Sequence, residues 1–273
     1  MVRLTYDGSG YKGFQRQRDQ RTVQGEVEKA LERIFKQPTV TYGAGRTDTG
    51  VHAIGQAIVF DVRFETMSDY DVQNALNAHL PNDMYVVGVQ TVDSNFDPRQ
   101  KATRRIYHYF LLHTARPDIF LRQKFWWFPY DLDLPAMRQA ARWMEGIHDF
   151  STYMKKTPGE EKNPVRQIYR VRIFSLMRRK VILIRVEGHS FLRQMVRNMV
   201  GALVRVGTGQ MEPDSIRASI LQRQRAASPV TAPPDGLYLY QVEFQSVPAR
   251  RYAEMAIWSE NEYMEGCAWI SDG

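Results

Sequence analysis

At 273 residues the chain has room for about two domains of ~150 residues each, and 43 % hydrophobic with 25 % charged residues is an ordinary balance for a globular protein with a sizeable core. The formal charge of +7 points to an anionic partner rather than a cationic one. No apolar run approaches the ~20 residues that a membrane span needs, and the single cysteine, Cys267, excludes an intrachain disulfide and every cysteine-based zinc pattern.

"VRLTY" (2–6) alternates as a strand, with no charged and apolar leader before it, which predicts a soluble cytoplasmic protein. "YDGSGYKG" then supplies turn residues. From a capping Thr22, the residues Val23, Val27, Ala30, Leu31, Ile34 and Phe35 recur at helical spacing until Pro38. "TVTYG" and "IGQAIVFDV" (54–62) read as strands. Ser68 caps a second helix with Val72, Ala75, Leu76 and His79 facing inward, and "MYVVGVQTV" (84–92) is a strand. The order is β-α-β-β-α-β.

The second half repeats that order. "IYHYFLL" (106–112) is a strand, and Leu134, Met137, Ala141 and Met144 mark a helix. "VRQIYRVRIF" and "KVILIRVEG" make a strand pair, and a long helix runs from about Ser190 to Val206 with Leu192, Met195, Val196, Met199, Val200, Leu203 and Val204 on its apolar face. Pro213 starts a short helix, and "GLYLYQVEF" (236–244) closes the set. The expected fold class is α+β. Two ferredoxin-like halves, 1–103 and 104–244, would share a continuous mixed sheet with a central basic cleft. Residues 245–273, with two basic and five acidic side chains, read as an appended tail without a functional assignment.

Charge is concentrated. Residues 99–124 hold seven Lys/Arg against one acidic residue, and residues 162–205 hold eleven against one. The two zones carry +6 and +10, which leaves −9 for the rest of the chain. Basic zones interleaved with aromatics suit a nucleic acid, whose phosphates are drawn first. A solvated basic face with no partner would look similar.

"GAGRTDTGVHA" (43–53) sets Arg46, Asp48 and His52 on one glycine-bounded loop between two strands. An aspartate in such a turn often serves only the backbone. Two features argue for more. Arg193, Arg197 and Arg205 form a polar stripe on the long helix, and an arginine beside a desolvated carboxylate keeps it ionised. Tyr107 and Tyr109 share a strand face beside Arg104 and Arg105, and a tyrosine offers a ring for stacking on a base. Tyr109 reads more readily as core, and Arg193 and Arg205 as phosphate contacts or solvated charge. "GSGYKG" (8–13) matches a nucleotide-loop spacing but lacks the helix that should open after it. The six histidines are scattered without metal-binding spacing. No metal and no cofactor are expected.

The chain resembles the tRNA pseudouridine synthases of the TruA type over nearly its whole length up to Phe244. "YDGSGYKGFQRQ" with "TVQGEVEKAL" resembles the family's opening, and "GAGRTDTGVHA" its signature loop. "ALNAHLPNDMYV", "FDPRQKATRRIYHYF", "GIHDFSTY", "SFLRQMVRNMVGALVRVG" and "APPDGLYL" follow in the family's order. The resemblance implies isomerisation of uridine at tRNA positions 38, 39 and 40, in the anticodon arm. The uracil is detached at N1, turned and rejoined through C5, without a cofactor. It further implies that Asp48 is catalytic, that Tyr107 stacks on the uracil, and that Arg197 pairs with the aspartate. Leu237 would line the base pocket, Arg46 would hold the target nucleotide out of its stack, and the enzyme would be a homodimer. Phe14 stands where the family usually has tryptophan, and "FDPR" (96–99) where it has FHAR. The rival reading is a non-catalytic RNA-binding protein with two sheet platforms. It leaves Asp48, an acidic group among arginines, without a purpose.

Overall fold

Thr22 begins the first helix as its side chain predicts. Its hydroxyl accepts the N–H of Gly25 at 3.3 Å, and α1 runs Val23–Phe35. Val23, Val27, Ala30, Leu31 and Phe35 are its buried stripe, and Lys36 ends it in the left-handed region at φ 56°. Ser68 starts α2, Asp69–His79, through a capping box with Asp71. Leu76 of α2 is buried, but His79 does not face inward as expected. It is exposed at the helix end, where its ring bonds the carbonyl of Ala75.

The computed structural model describes residues 1–62, 67–155, 163–176, 180–222 and 230–245, so all but the first residue of the expected tail lies outside the described residues. Among the described residues are ten strands and five α-helices, a mixed α+β fold. They form two compact units, one of Met1–Thr103 with 238–245, the other Arg104–Leu237.

In the first unit, β1 (Val2–Tyr6) lies between β3 (His52–Phe60) and β4 (Met84–Val89), antiparallel to both. The short β2 (Thr41–Gly43) pairs with β3 antiparallel. The last strand, β10 (Leu237–Phe244), returns to this unit and pairs with β3 in parallel, with Tyr238 opposite His52 and Leu239 opposite Ala53. Phe244 then packs against Phe96, ring centres 5.3 Å apart.

In the second unit the strand order is β5 (Ala102–Leu112), β9 (Val181–Gly188), β8 (Val165–Leu176), β7 (Gly146–Asp149), and β6 (Trp126–Trp127) lies parallel to β5. β6 and β7 are too short to show a periodicity, and no sequence pattern marks them. The helices are α3 (Leu134–Arg142), α4 (Met195–Gly207) and α5 (Pro213–Gln222). The helix expected from Ser190 begins only at Met195, because Gln194 takes a left-handed conformation at φ 59°. Leu192 stays buried in the preceding turn, but Arg193 falls off the helix and off the arginine stripe.

Candidate active site

The loop 44–51 connects β2 to β3, and the backbone around it is tied at several points. Ala44 N–H reaches Ala57 O at 2.8 Å, and Phe14 N–H reaches Thr47 O at 3.1 Å. Gln56 holds the carbonyl of Gly45 at 2.9 Å, and Val51 N–H closes a turn onto the Asp48 carbonyl at 3.1 Å. Gly50 sits at φ +79°, where a side chain would be strained. The opposing strip, 8–14, comes very close: a Cβ on Gly13, itself at φ +92°, would lie 3.0 Å from Thr47 O. Phe14 is buried and fills the space over Gly43, where an added Cβ would meet its ring at 2.4 Å.

On this frame Arg46 is exposed, Thr47 is buried and Asp48 is half-buried. The loop therefore presents the arginine and the carboxylate and hides the residue between them. His52 turns away from that role. It is 1 % exposed, stacks on Tyr238 at 4.5 Å, and its Nδ1 accepts the N–H of Gly8 at 3.0 Å. The same Nδ1 lies 3.1 Å from Asp7 Oδ1. His52 is a structural anchor for the start of β3.

The other expected site residues belong to the second unit. Tyr107 and Tyr109 share a face of β5, opposite Val186 and Ile184 of β9. Tyr107 stands edge-on to Phe191, ring centres 5.1 Å apart at 81°. Sequence reasoning passed over Phe191; its signal was its place in "SFLRQ", beside the helix start. Tyr109 is wholly buried and its hydroxyl donates to Pro233 O at 2.8 Å. Burial raises its ionisation well above the ordinary tyrosine value, against the opposing pull of Arg197. Tyr109 is core, the more ordinary of its two readings.

Arg197 and Leu237 meet around the same stretch, 230–237. The Arg197 Nε donates to Ala232 O at 2.7 Å, and Ala232 N–H returns to Arg197 O at 3.2 Å. Gly201, one turn on, packs so tightly there that a Cβ would lie 1.7 Å from Val230 O. Leu237 is buried, its N–H bonded to Pro234 O at 2.9 Å. Thus Arg46 and Asp48 share one loop of the first unit, while Tyr107, Arg197 and Leu237 are set by β5, α4 and the strip entering β10 in the second.

A groove of about 670 Å³ also lies on the first unit, beside the start of α1, lined by Arg16, Arg21, Glu26, Glu28 and Lys29 among others. None of its lining comes from the 44–51 loop. Several of its charges are paired, Arg16 with Glu28 at 2.9 Å, Lys29 with Glu26 at 2.8 Å and Arg21 with Asp83 at 2.9 Å. It is not the candidate site. Among the described residues no group of three or more His, Cys, Asp or Glu is placed to hold a metal ion, and no helix is long and apolar enough to cross a membrane.

The sequence model of the tRNA pseudouridine synthase family matches residues 4–99 and 140–245, which takes in both the 44–51 loop and α4. The chain belongs to that family. It is 54 % identical over 241 residues to tRNA pseudouridine synthase A of Thermotoga maritima, covering 88 % of this chain and 97 % of the relative. The corresponding protein of Pseudothermotoga lettingae is 53 % identical over 244 residues, 89 % of this chain and 98 % of its own length. That of Fervidobacterium nodosum is 47 % identical over 244 residues with the same coverage. The chain is therefore an enzyme of the pseudouridine synthase type.

Proposed function

We propose that this enzyme isomerises uridine to pseudouridine at positions 38, 39 and 40 of the tRNA anticodon arm, with Asp48 at the sugar–base junction and no cofactor. The observation that carries the reading is the loop 44–51, which presents a half-buried carboxylate beside an exposed arginine on a backbone bonded from four directions. Arg46 fits the task of filling the space left when the target uridine leaves its stack, a step that costs a few kcal/mol. Tyr107, paired edge-on with Phe191, fits a wall against which a flat base is held. Leu237 supplies the apolar side of that pocket, and Arg197 the positive charge paired with Asp48.

We read each unit as one ferredoxin-like half of the enzyme. In the first, the order β4-β1-β3 with β2 on β3, all antiparallel, supports this. The zones at 99–124 and 162–205 act as the phosphate-binding surface, and the enzyme works in the cytoplasm as a homodimer. The deciding experiment incubates the purified protein with unmodified tRNA transcripts and maps pseudouridine by position. Product at 38, 39 or 40 is expected. Product only elsewhere overturns the choice of site, and no product with intact binding favours the RNA-binding reading.

A further inference from the structure

Thr47, the residue before Asp48, is anchored through its side chain as well as its backbone. Its hydroxyl lies 2.8 Å from the hydroxyl of Tyr6, and both groups are buried, Tyr6 at 4 % and Thr47 at 7 % exposure. Its carbonyl accepts from Phe14 N–H at 3.1 Å. On the far side of Asp48, the Val51 N–H closes onto the Asp48 carbonyl, and Gly50 N–H reaches Tyr11 O at 3.4 Å.

Tyr6 is itself placed by two strands at once. It ends β1, opposite Ala53 on β3 and Met84 on β4. Its ring meets Tyr11 edge-on, centres 6.4 Å apart. A tyrosine ring is a stiff spacer, so a hydroxyl carried on it sits at a fixed height above the sheet. That hydroxyl is met by the one residue of the Arg46–Thr47–Asp48 run that is buried. Arg46 and Asp48 leave the backbone on either side of it and so take their directions from a backbone that it holds.

We infer that Tyr6 is a positioning residue for the isomerisation: its hydroxyl fixes Thr47, and through Thr47 it aims the Asp48 carboxylate. The inference rests on the reading of Asp48 as the reacting carboxylate. Loss of the Tyr6 hydroxyl leaves the ring, its packing and the strand pairing in place, but frees the Thr47 side chain and lets the loop shift. Displacements of ~1 Å at a reacting group cost up to ~100-fold in rate. A loop that keeps its backbone bonds loses less, and a drop of about tenfold is expected on the same argument.

The test uses the full-length protein and an unmodified tRNA transcript, measuring the single-turnover rate and the tRNA Kd separately. Tyr6→Phe and Thr47→Val should each lower the rate about tenfold while leaving Kd within about twofold. The double variant should be no slower than about the worse single one, since both remove the same contact. Thr47→Ser, which keeps the hydroxyl, should retain nearly the full rate. The inference is overturned if Tyr6→Phe turns over at the parent rate, if the two single effects multiply, or if Thr47→Ser is as slow as Thr47→Val. Asp48→Asn, run alongside, separates the two levels. If it is active the underlying reading fails, and if it is inactive while Tyr6→Phe is normal only the positioning role fails.

Discussion

Gly8 lies so close to Val51 that a Cβ added to it would stand 2.0 Å from the Val51 carbonyl oxygen and 2.4 Å from its carbon. The strip after β1 and the end of the Asp48 loop are in backbone-to-backbone contact, and no side chain can yield to relieve it. Gly8→Ala should therefore cost roughly 1–3 kcal/mol of stability through overpacking. It should also slow turnover by displacing the loop. Thermal melts and single-turnover rates check both, and a variant unchanged in each would show that the strip and loop separate freely.

Asp48→Asn keeps the shape of the side chain and removes its charge. Isomerisation should vanish while tRNA affinity holds or rises slightly, because a negative group near phosphate has gone. The measurement is pseudouridine formed per enzyme alongside a binding isotherm, on protein checked for deamidation.

The observed and the proposed duty of Arg197 can be separated by a pair of substitutions. Its Nε secures Ala232 O at 2.7 Å, and on the proposed reading its charge pairs with Asp48. Arg197→Met should cripple the rate more than the affinity. Arg197→Lys, which keeps the charge and loses the geometry of that hydrogen bond, should fall between Met and the parent. Equal loss in both variants would assign the whole effect to the anchoring of residues 230–232.

Binding should weaken steeply with salt. If about six phosphates are neutralised by the two basic zones, affinity falls roughly a thousandfold between about 50 and 200 mM salt. A shallow slope in a filter-binding or fluorescence titration would mean that these arginines are engaged within the protein.

His108 carries a pH dependence of stability. It is buried on β5 opposite Arg185 of β9, and burial, with the charge of Arg185 adding to it, pushes its pKa well below the ordinary 6.5. Below pH 6.5 the unfolded chain takes up a proton that the folded chain refuses, so stability falls as pH falls, by up to about 1.4 kcal/mol per pH unit. Above that pH the contribution is level. His108→Leu should lose less melting temperature than the parent between neutral and acidic pH. An equal loss would place the acid sensitivity elsewhere.

Much of this was legible in the residues themselves. Thr22 and Ser68 announced their helices because a capping hydroxyl is a local signal that tertiary structure rarely overrides. The Asp48 loop was legible for a similar reason: glycines and polar residues between two short apolar runs leave few conformations. Besides β6 and β7, three features were not legible. Nothing near Gln194 marks it as left-handed, so α4 seemed to begin at Ser190. His79 follows the helical repeat yet is exposed, because α2 ends there. The Tyr6–Thr47 contact joins residues far apart in the chain, and spacing says nothing about such a pair.

The parallel pairing of β10 with β3 has a consequence for the making of the protein. Tyr238 and Leu239 close against His52 and Ala53, so the edge of β3 that follows directly from the Asp48 loop is covered by the last described strand. During synthesis the first hundred residues leave the ribosome long before that strand exists. Until it arrives, the start of β3 at His52 and Ala53 lacks this neighbouring strand, and the His52 ring lacks the Tyr238 face on which it stacks. The sheet that carries the Asp48 loop therefore emerges before the strand that completes it. A nascent chain stalled before residue 238 should be open to proteolysis around β3 and become resistant only once Phe244 has cleared the exit tunnel.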